Sequence, residues 1–136
     1  MPGPALNQLH AHRAIHDGAQ SGAIEYTDLM IQIWKSEKKE DANKAATLLL
    51  DYWETRIISH ADAEESGFYQ KKAENNEELV DAVKSLKRDH EILRIIVKDI
   101  RDILQKDGLN DLAIQKFYAL LTVNEIHSRE EERLLF

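Results

Sequence analysis

The sequence predicts an all-α protein, an antiparallel four-helix bundle with up-down-up-down topology. Four long segments carry apolar residues at three- and four-residue steps, as amphipathic helices do. Three short polar breaks separate these segments, and no segment alternates polar and apolar residues as a half-buried strand would. Short breaks between long helices favour antiparallel neighbours. The 136 residues suit one domain, residues 1–136, with one core.

The predicted helices cover about residues 4–35, 41–66, 76–106 and 110–134. Pro4 is tolerated in the first turn of the first helix, because a proline there removes no helical hydrogen bond. Gly18 and Gly22 weaken the same helix, so a kink is possible at that point. The second helix is expected to fray beyond Gly67.

Turn-forming residues predict where the third helix ends and where the fourth begins. The third helix is expected to stop at Gly108, since glycine commonly ends a helix in the left-handed conformation. Asn110 or Asp111 can cap the fourth helix, because a side-chain oxygen at that position accepts hydrogen bonds from free backbone N–H groups.

Composition excludes several classes of function. The net charge of −7 and the pI of about 5.3 argue against nucleic-acid binding, which needs a basic surface. No apolar run approaches the roughly 18 residues of a membrane span. The first ten residues lack the basic and apolar regions of a signal peptide, so we expect a cytoplasmic protein. Cysteine is absent, which excludes disulfides and thiolate metal ligands.

Histidines fall on the apolar stripe of every predicted helix. The first helix carries His12 and His16, and the following three carry His60, His90 and His127 in turn. Residues three and four apart share a helix face, so these imidazoles are expected to point inward. The sixth histidine, His10, lies about 200° around the helix from His12 and is expected at the surface.

The spacing of these histidines predicts that they share one layer of the bundle. In an antiparallel helix pair, two residues lie at the same height when the turn falls midway between them. The midpoint of His12 and His60 is in the first polar break, and that of His60 and His90 is in the second. The midpoint of His90 and His127 falls beside Gly108. Four buried imidazoles in one layer need polar partners, which a metal ion would provide.

Two carboxylates accompany this layer. Glu64 follows His60 by four residues, and Glu131 follows His127 by four, so each lies one helical turn away on the same face. Buried carboxylates need a cation. Imidazole and carboxylate without thiolate favour iron or manganese, and the candidate ligands outnumber the four that one tetrahedral zinc uses.

The ordered set of motifs resembles the hemerythrin-like, HHE cation-binding family over the whole chain. The family pattern has a histidine on the first helix, His-x-x-x-Glu on the second, a histidine on the third and His-x-x-x-Glu on the fourth. The matching residues here are His12, His60 with Glu64, His90, and His127 with Glu131. The resemblance implies an up-and-down bundle that holds two non-haem irons with an oxo or hydroxo bridge.

The chain departs from that pattern at three points. His16 adds a possible fifth imidazole to the first helix. Glu132 occupies the position that marine hemerythrins use on the last helix, so it is an alternative to Glu131 as a bridge. Family members often continue beyond the last motif, whereas this sequence ends at Phe136.

The resemblance implies binding of O₂, or of a related ligand such as peroxide or NO, at an open position on the iron with two histidines. The expected role is therefore O₂ binding or sensing rather than turnover. The alternative is an enzyme-like di-iron protein that consumes peroxide or NO, or that donates iron for the repair of iron centres. A bundle that binds haem or another metal is a further alternative. No motif identifies a redox partner, and the oligomeric state stays open.

Overall fold

A computed structural model describes residues 8–136, and this part of the chain is helical with no β-strand. The all-α prediction is confirmed. The described residues form four long helical segments, which we call rods. The first rod is α1 (Leu9–Lys35). The second rod covers residues 39–75, the third is α5 (Val80–Asp107) and the fourth is α6 (Asp111–Leu135).

The second rod combines α-helical and π-helical turns. Its α-helical parts are α2 (Lys39–Tyr52), α3 (Ser59–Ala63) and α4 (Tyr69–Asn75). Two π-helical segments, Trp53–Ile58 and Glu64–Phe68, join them. Each π-helical turn holds an extra residue and rotates the side chains that follow it, and such turns are frequent at functional sites.

The second rod extends further than its sequence predicts. The prediction that it ends near residue 66 is wrong, because the helix continues to Asn75. Gly67 lies inside the second π-helical segment rather than at the end of the helix. Phe68 and Tyr69, which follow it, are almost fully buried. Burial of two large aromatic side chains outweighs the cost of about 1 kcal/mol that a glycine imposes on a helix.

The other helix ends agree more closely with the sequence. Gln8 is extended and α1 begins at Leu9, so the predicted start at Pro4 lies outside the described residues. A short 3₁₀ turn, Glu77–Leu79, precedes α5, which therefore starts at Val80 rather than near residue 76. Gly108 ends α5 with φ of +73°, as the sequence predicts. The Asn110 side chain accepts a hydrogen bond from the Ala113 N–H at 2.9 Å and caps α6.

Two apolar clusters divide the core. The larger cluster includes Leu49, Trp53, Ile100 and Phe117 and joins all four rods. The smaller cluster consists of Phe68, Tyr69, Val83, Leu86 and Leu135. On the second, third and fourth rods, the predicted histidines and glutamates fall between the residues of these two clusters. The polar layer is therefore enclosed by apolar side chains on both sides. No helix within residues 8–136 is long and apolar enough to cross a membrane.

Gly22 lies where α1 closely approaches the second rod. A Cβ atom at Gly22 would collide with the hydroxyl group of Tyr52, which donates a hydrogen bond to the Ala19 carbonyl at 2.8 Å. A Cβ atom at Gly18 would have no neighbour within 4 Å. The two glycines of one helix therefore differ in their tolerance of a side chain.

We expect Gly18→Ala to stabilise the fold by about 0.5–1 kcal/mol, because alanine favours the helix. Gly22→Ala should be less stable than Gly18→Ala by about 1 kcal/mol or more, because the same gain is offset by loss of the Tyr52 hydrogen bond and its packing. Urea denaturation at matched metal content measures both free energies of unfolding. Equal stabilisation by the two substitutions would show that Tyr52 moves aside without cost.

Candidate metal centre

All seven side chains that the sequence predicts as ligands lie together in one layer of the bundle. The histidines come from all four rods. Their Nε2 atoms, which we call the inner nitrogens, point toward two carboxylates, and their Nδ1 atoms are the outer nitrogens. The members are His12, His16, His60, Glu64, His90, His127 and Glu131. All are buried except His60, whose side chain keeps 23% of its surface exposed.

Glu64 lies between histidines of three rods. Its Oε2 atom is 3.0 Å from His12 Nε2 and 3.4 Å from His60 Nε2. Its other oxygen, Oε1, is 3.3 Å from His90 Nε2. The two oxygens of one carboxylate therefore face histidines of different rods.

Glu131 is arranged in the same way. Its Oε1 atom contacts His12 Nε2 and lies 3.2 Å from His16 Nε2. Its Oε2 atom lies 3.2 Å from His127 Nε2 and accepts a hydrogen bond from the hydroxyl group of Tyr69. Each carboxylate thus presents one oxygen to one group of histidines and the second oxygen to the other group.

The ligand atoms form two groups in which every atom lies within 4.8 Å of the others. One group is His12, His16, His60 and Glu64, and the other is Glu64, His90, His127 and Glu131. We call them the three-imidazole half and the two-imidazole half. A buried cluster of this composition could hold metal ions, because imidazole and carboxylate together are common ligands of first-row metals.

The outer nitrogens of two of these histidines are held by carboxylates. His90 Nδ1 is 2.8 Å from Glu65 Oε2, and His127 Nδ1 is 2.9 Å from Asp89 Oδ2. An ionised carboxylate only accepts hydrogen bonds, so each Nδ1 carries the proton. This arrangement fixes the ring orientation, increases the basicity of the inner nitrogen and accompanies most histidine metal ligands.

Glu132 contacts the outer nitrogen of His16 in the same way. Its Oε2 atom is 3.0 Å from His16 Nδ1, and its Oε1 atom accepts a hydrogen bond from Arg13 Nε at 2.9 Å. Arg129 lies 3.2 Å from the same carboxylate. Glu132 therefore lies on the outer side of the His16 ring, beside Nδ1. Glu131 is the glutamate of α6 that faces the inner nitrogens. The alternative of Glu132 as the bridging carboxylate does not fit this placement.

The inner nitrogens of His90 and His127 show why this site fits a cation. Their Nε2 atoms are 3.0 Å apart. With both protons on Nδ1, each neutral ring presents a lone pair at Nε2, and the nearby oxygens of Glu64 and Glu131 also present lone pairs. Such a set cannot satisfy itself by hydrogen bonding. It needs either an added proton or a metal ion, and a metal ion serves all of these atoms together.

The pKa values of the groups in the layer also indicate that the layer attracts positive charge. Burial alone would lower the pKa of His12 and His127, but the hydrogen bonds that these rings donate to carboxylates outweigh burial and raise the pKa values to about 10 and about 9. Burial alone would raise the pKa of Glu64 and Glu131, yet hydrogen bonds from histidines, His12 foremost, lower both. The carboxylates are therefore ionised and attract positive charge into the layer.

A cavity of about 310 Å³ adjoins the layer on the side of the larger apolar cluster. Its polar wall includes both halves of the centre, and its apolar wall includes Ile15, Ala19, Ile57 and Leu93. The site residues along this wall are His16, His60, Glu64, His90 and His127. A small molecule held in this cavity would therefore touch both halves.

Sequence reasoning missed Tyr69 and the outer carboxylates Glu65 and Asp89. Tyr69 is fully buried, and its ring stacks on His90 with centroids 5.4 Å apart. Tyr69 lies five residues after Glu64, and its burial depends on the unpredicted extension of the second rod. His10 is exposed, as the sequence predicts.

Comparisons with known proteins add no assignment, since no family model, curated protein or solved structure matches this chain. The functional argument therefore rests on the residues of this chain and on their geometry.

Asp89→Ala should weaken metal binding by about 10- to 100-fold, because His127 loses the partner that orients its ring. The matched control is Asp102→Ala, which removes a carboxylate of the same helix that pairs with Lys98 on the exposed surface. Competition with a chelator measures both affinities. Equal affinity in the two variants would show that the Asp89 carboxylate does not support the site.

Proposed function

We propose that this chain is a hemerythrin-like, non-haem di-iron protein that binds O₂, or a related ligand such as peroxide or NO, in the core of an up-down-up-down bundle. The observation that supports two metal ions is the position of the two carboxylates. Glu64 and Glu131 each direct one oxygen to the three-imidazole half and the other oxygen to the two-imidazole half. This is the arrangement that a carboxylate needs to bridge two ions.

The composition of the site favours iron or manganese over zinc and haem. Five imidazoles and two carboxylates without any thiolate suit iron or manganese. A single tetrahedral zinc uses four ligands and would leave buried carboxylates without a partner. A haem uses one or two imidazoles and would not account for Glu64 and Glu131.

Contacts at both ends of the rods support the antiparallel topology. The Leu109 N–H at the start of the fourth rod donates a hydrogen bond to Asn43 near the start of the second rod, at 2.7 Å. Phe136, after the fourth rod, stacks on Phe68 of the second rod with ring centroids 5.5 Å apart. The fourth rod therefore runs alongside the second in the same direction, as an up-down-up-down order requires.

The protein's own residues would control the chemistry of the centre. Two bound ferrous ions would supply the electrons and the open position that an oxygen ligand requires. The two glutamates would hold the pair together, and Asp89, Glu65 and Glu132 would keep the imidazoles in their coordinating orientation. The cavity would admit a small ligand beside the layer, and its wall combines apolar side chains such as Ile57 and Leu93 with polar ones such as Arg56 and Asn124.

One observation favours the enzyme-like alternative, in which peroxide or NO is consumed or iron is donated for repair. His60 is partly exposed and lines a cavity of about 310 Å³, which exceeds the space that a diatomic molecule occupies. Such access would speed exchange of ligands and of the metal itself.

The central experiment measures iron per chain together with the visible spectrum, first reduced without air and then after adding air. For O₂ binding we expect two irons per chain, no colour when reduced, and a charge-transfer band that forms in air and disappears when O₂ is removed. Irreversible oxidation of two irons would favour the enzyme-like alternative. A Soret band, or less than one metal ion per chain, would contradict the di-iron proposal.

Glu131→Ala should abolish binding of two ions per chain, because the variant loses a carboxylate that joins both halves. The control is Glu130→Ala, since the neighbouring Glu130 side chain pairs with Arg133 on the surface. Glu64→Ala should behave as Glu131→Ala does. Metal analysis after loading and desalting measures the effect, and two ions retained in a Glu64 or Glu131 variant would remove that residue as a bridge.

A further inference from the structure

The two halves of the centre differ in their number of imidazoles. His12, His16 and His60 belong to one half, whereas only His90 and His127 belong to the other. Glu64 belongs to both halves, and Glu131 of the two-imidazole half also directs its Oε1 atom to His12 and His16. The two-imidazole half therefore has one protein donor fewer, unless another side chain completes it.

Tyr69 lies at the two-imidazole half. Its hydroxyl oxygen is 3.4 Å from His90 Nε2 and 3.5 Å from His127 Nε2. The same hydroxyl group donates a hydrogen bond to Glu131 Oε2. Ligand atoms that share one metal ion at about 2.0–2.2 Å lie roughly 3 Å from their neighbours. The phenol oxygen thus lies close to the place that a third imidazole would take in this half.

The surroundings hold Tyr69 in that place. The ring is fully buried and lies nearly parallel to the His90 ring, at an angle of 8°. It belongs to the smaller apolar cluster with Phe68 and Leu86. Tyr69 does not line the cavity on the other side of the layer. A phenol in this position would therefore leave the cavity unobstructed, but as a ligand it would occupy the position that the two-imidazole half otherwise leaves for a small ligand.

We propose that Tyr69 is a metal ligand of the two-imidazole half and binds ferric iron as a phenolate. The inference rests on the proposed di-iron function. When the iron–oxygen bond forms, the phenol O–H bond breaks and the proton leaves to solvent. Each half would then offer five protein donor atoms to an ion. The added negative charge stabilises the ferric state over the ferrous state.

Resonance Raman spectroscopy of the full chain, loaded with iron and oxidised in air, tests this ligand directly. Ferric phenolate gives a charge-transfer band, and excitation in that band enhances the ring vibrations of the bound tyrosine. We expect these vibrations in the native protein and their loss in Tyr69→Phe. The control is Tyr52→Phe, which removes a partly buried hydroxyl group that bonds the Ala19 carbonyl and should keep the vibrations.

If Tyr69→Phe folds poorly, the resonance Raman spectrum of the native protein by itself tests whether a tyrosine binds the iron. Ferric iron in the native chain without tyrosine vibrations would overturn the inference and leave Tyr69 as a hydrogen-bond donor to Glu131. Vibrations that persist in Tyr69→Phe would also overturn it. Iron per chain in the same samples tests the proposed function separately. Two ions without the vibrations contradict only the role of Tyr69, whereas one ion with vibrations that depend on Tyr69 contradicts only the dinuclear centre.

Discussion

Two buried carboxylates, Glu64 and Glu131, set the constraint on which this structure depends. Both are nearly inaccessible to water, and both lie among imidazole rings, of which His12 and His127 have raised pKa values. Burial of ionised carboxylates without positive charge costs several kcal/mol for each group. The layer must therefore gain protons or metal ions. The buried cluster could hold a metal ion, and metal binding would then be coupled to the stability of the fold, because an ion would replace the protons that the carboxylates otherwise require.

The remainder of the bundle holds these groups in place. Apolar clusters lie on both sides of the layer and fix the heights of the rods. The π-helical turns of the second rod flank the segment that carries His60 and include Glu64, so this rod can present both residues and then bury Tyr69. Outer carboxylates orient His16, His90 and His127, and arginines offset much of their negative charge at the surface. Hydrogen bonds and ion pairs thus connect the candidate ligands to charged side chains at the protein surface.

Turn chemistry and periodicity account for the part of the site that could be predicted. Gly108 and Asn110 identify one turn by their local chemistry, and the positions of the turns determine which histidines of antiparallel rods lie at one height. His60, His90 and His127 could therefore be placed in one layer before any tertiary contact was known. The extension of the second rod to Asn75 could not be predicted, because it depends on burial of Phe68 and Tyr69 against other rods.

The sequence by itself determined the helical class, most of the helix ends and the inner set of histidines and glutamates, because these depend on local propensity and on regular spacing. Only the tertiary structure decided that Glu131 rather than Glu132 faces the inner nitrogens. It also decided that Asp89 and Glu65 hold the outer nitrogens and that Tyr69 stands at the two-imidazole half. Those choices depend on how each helix is rotated about its axis. That rotation is set by packing between rods, and no single helix encodes it.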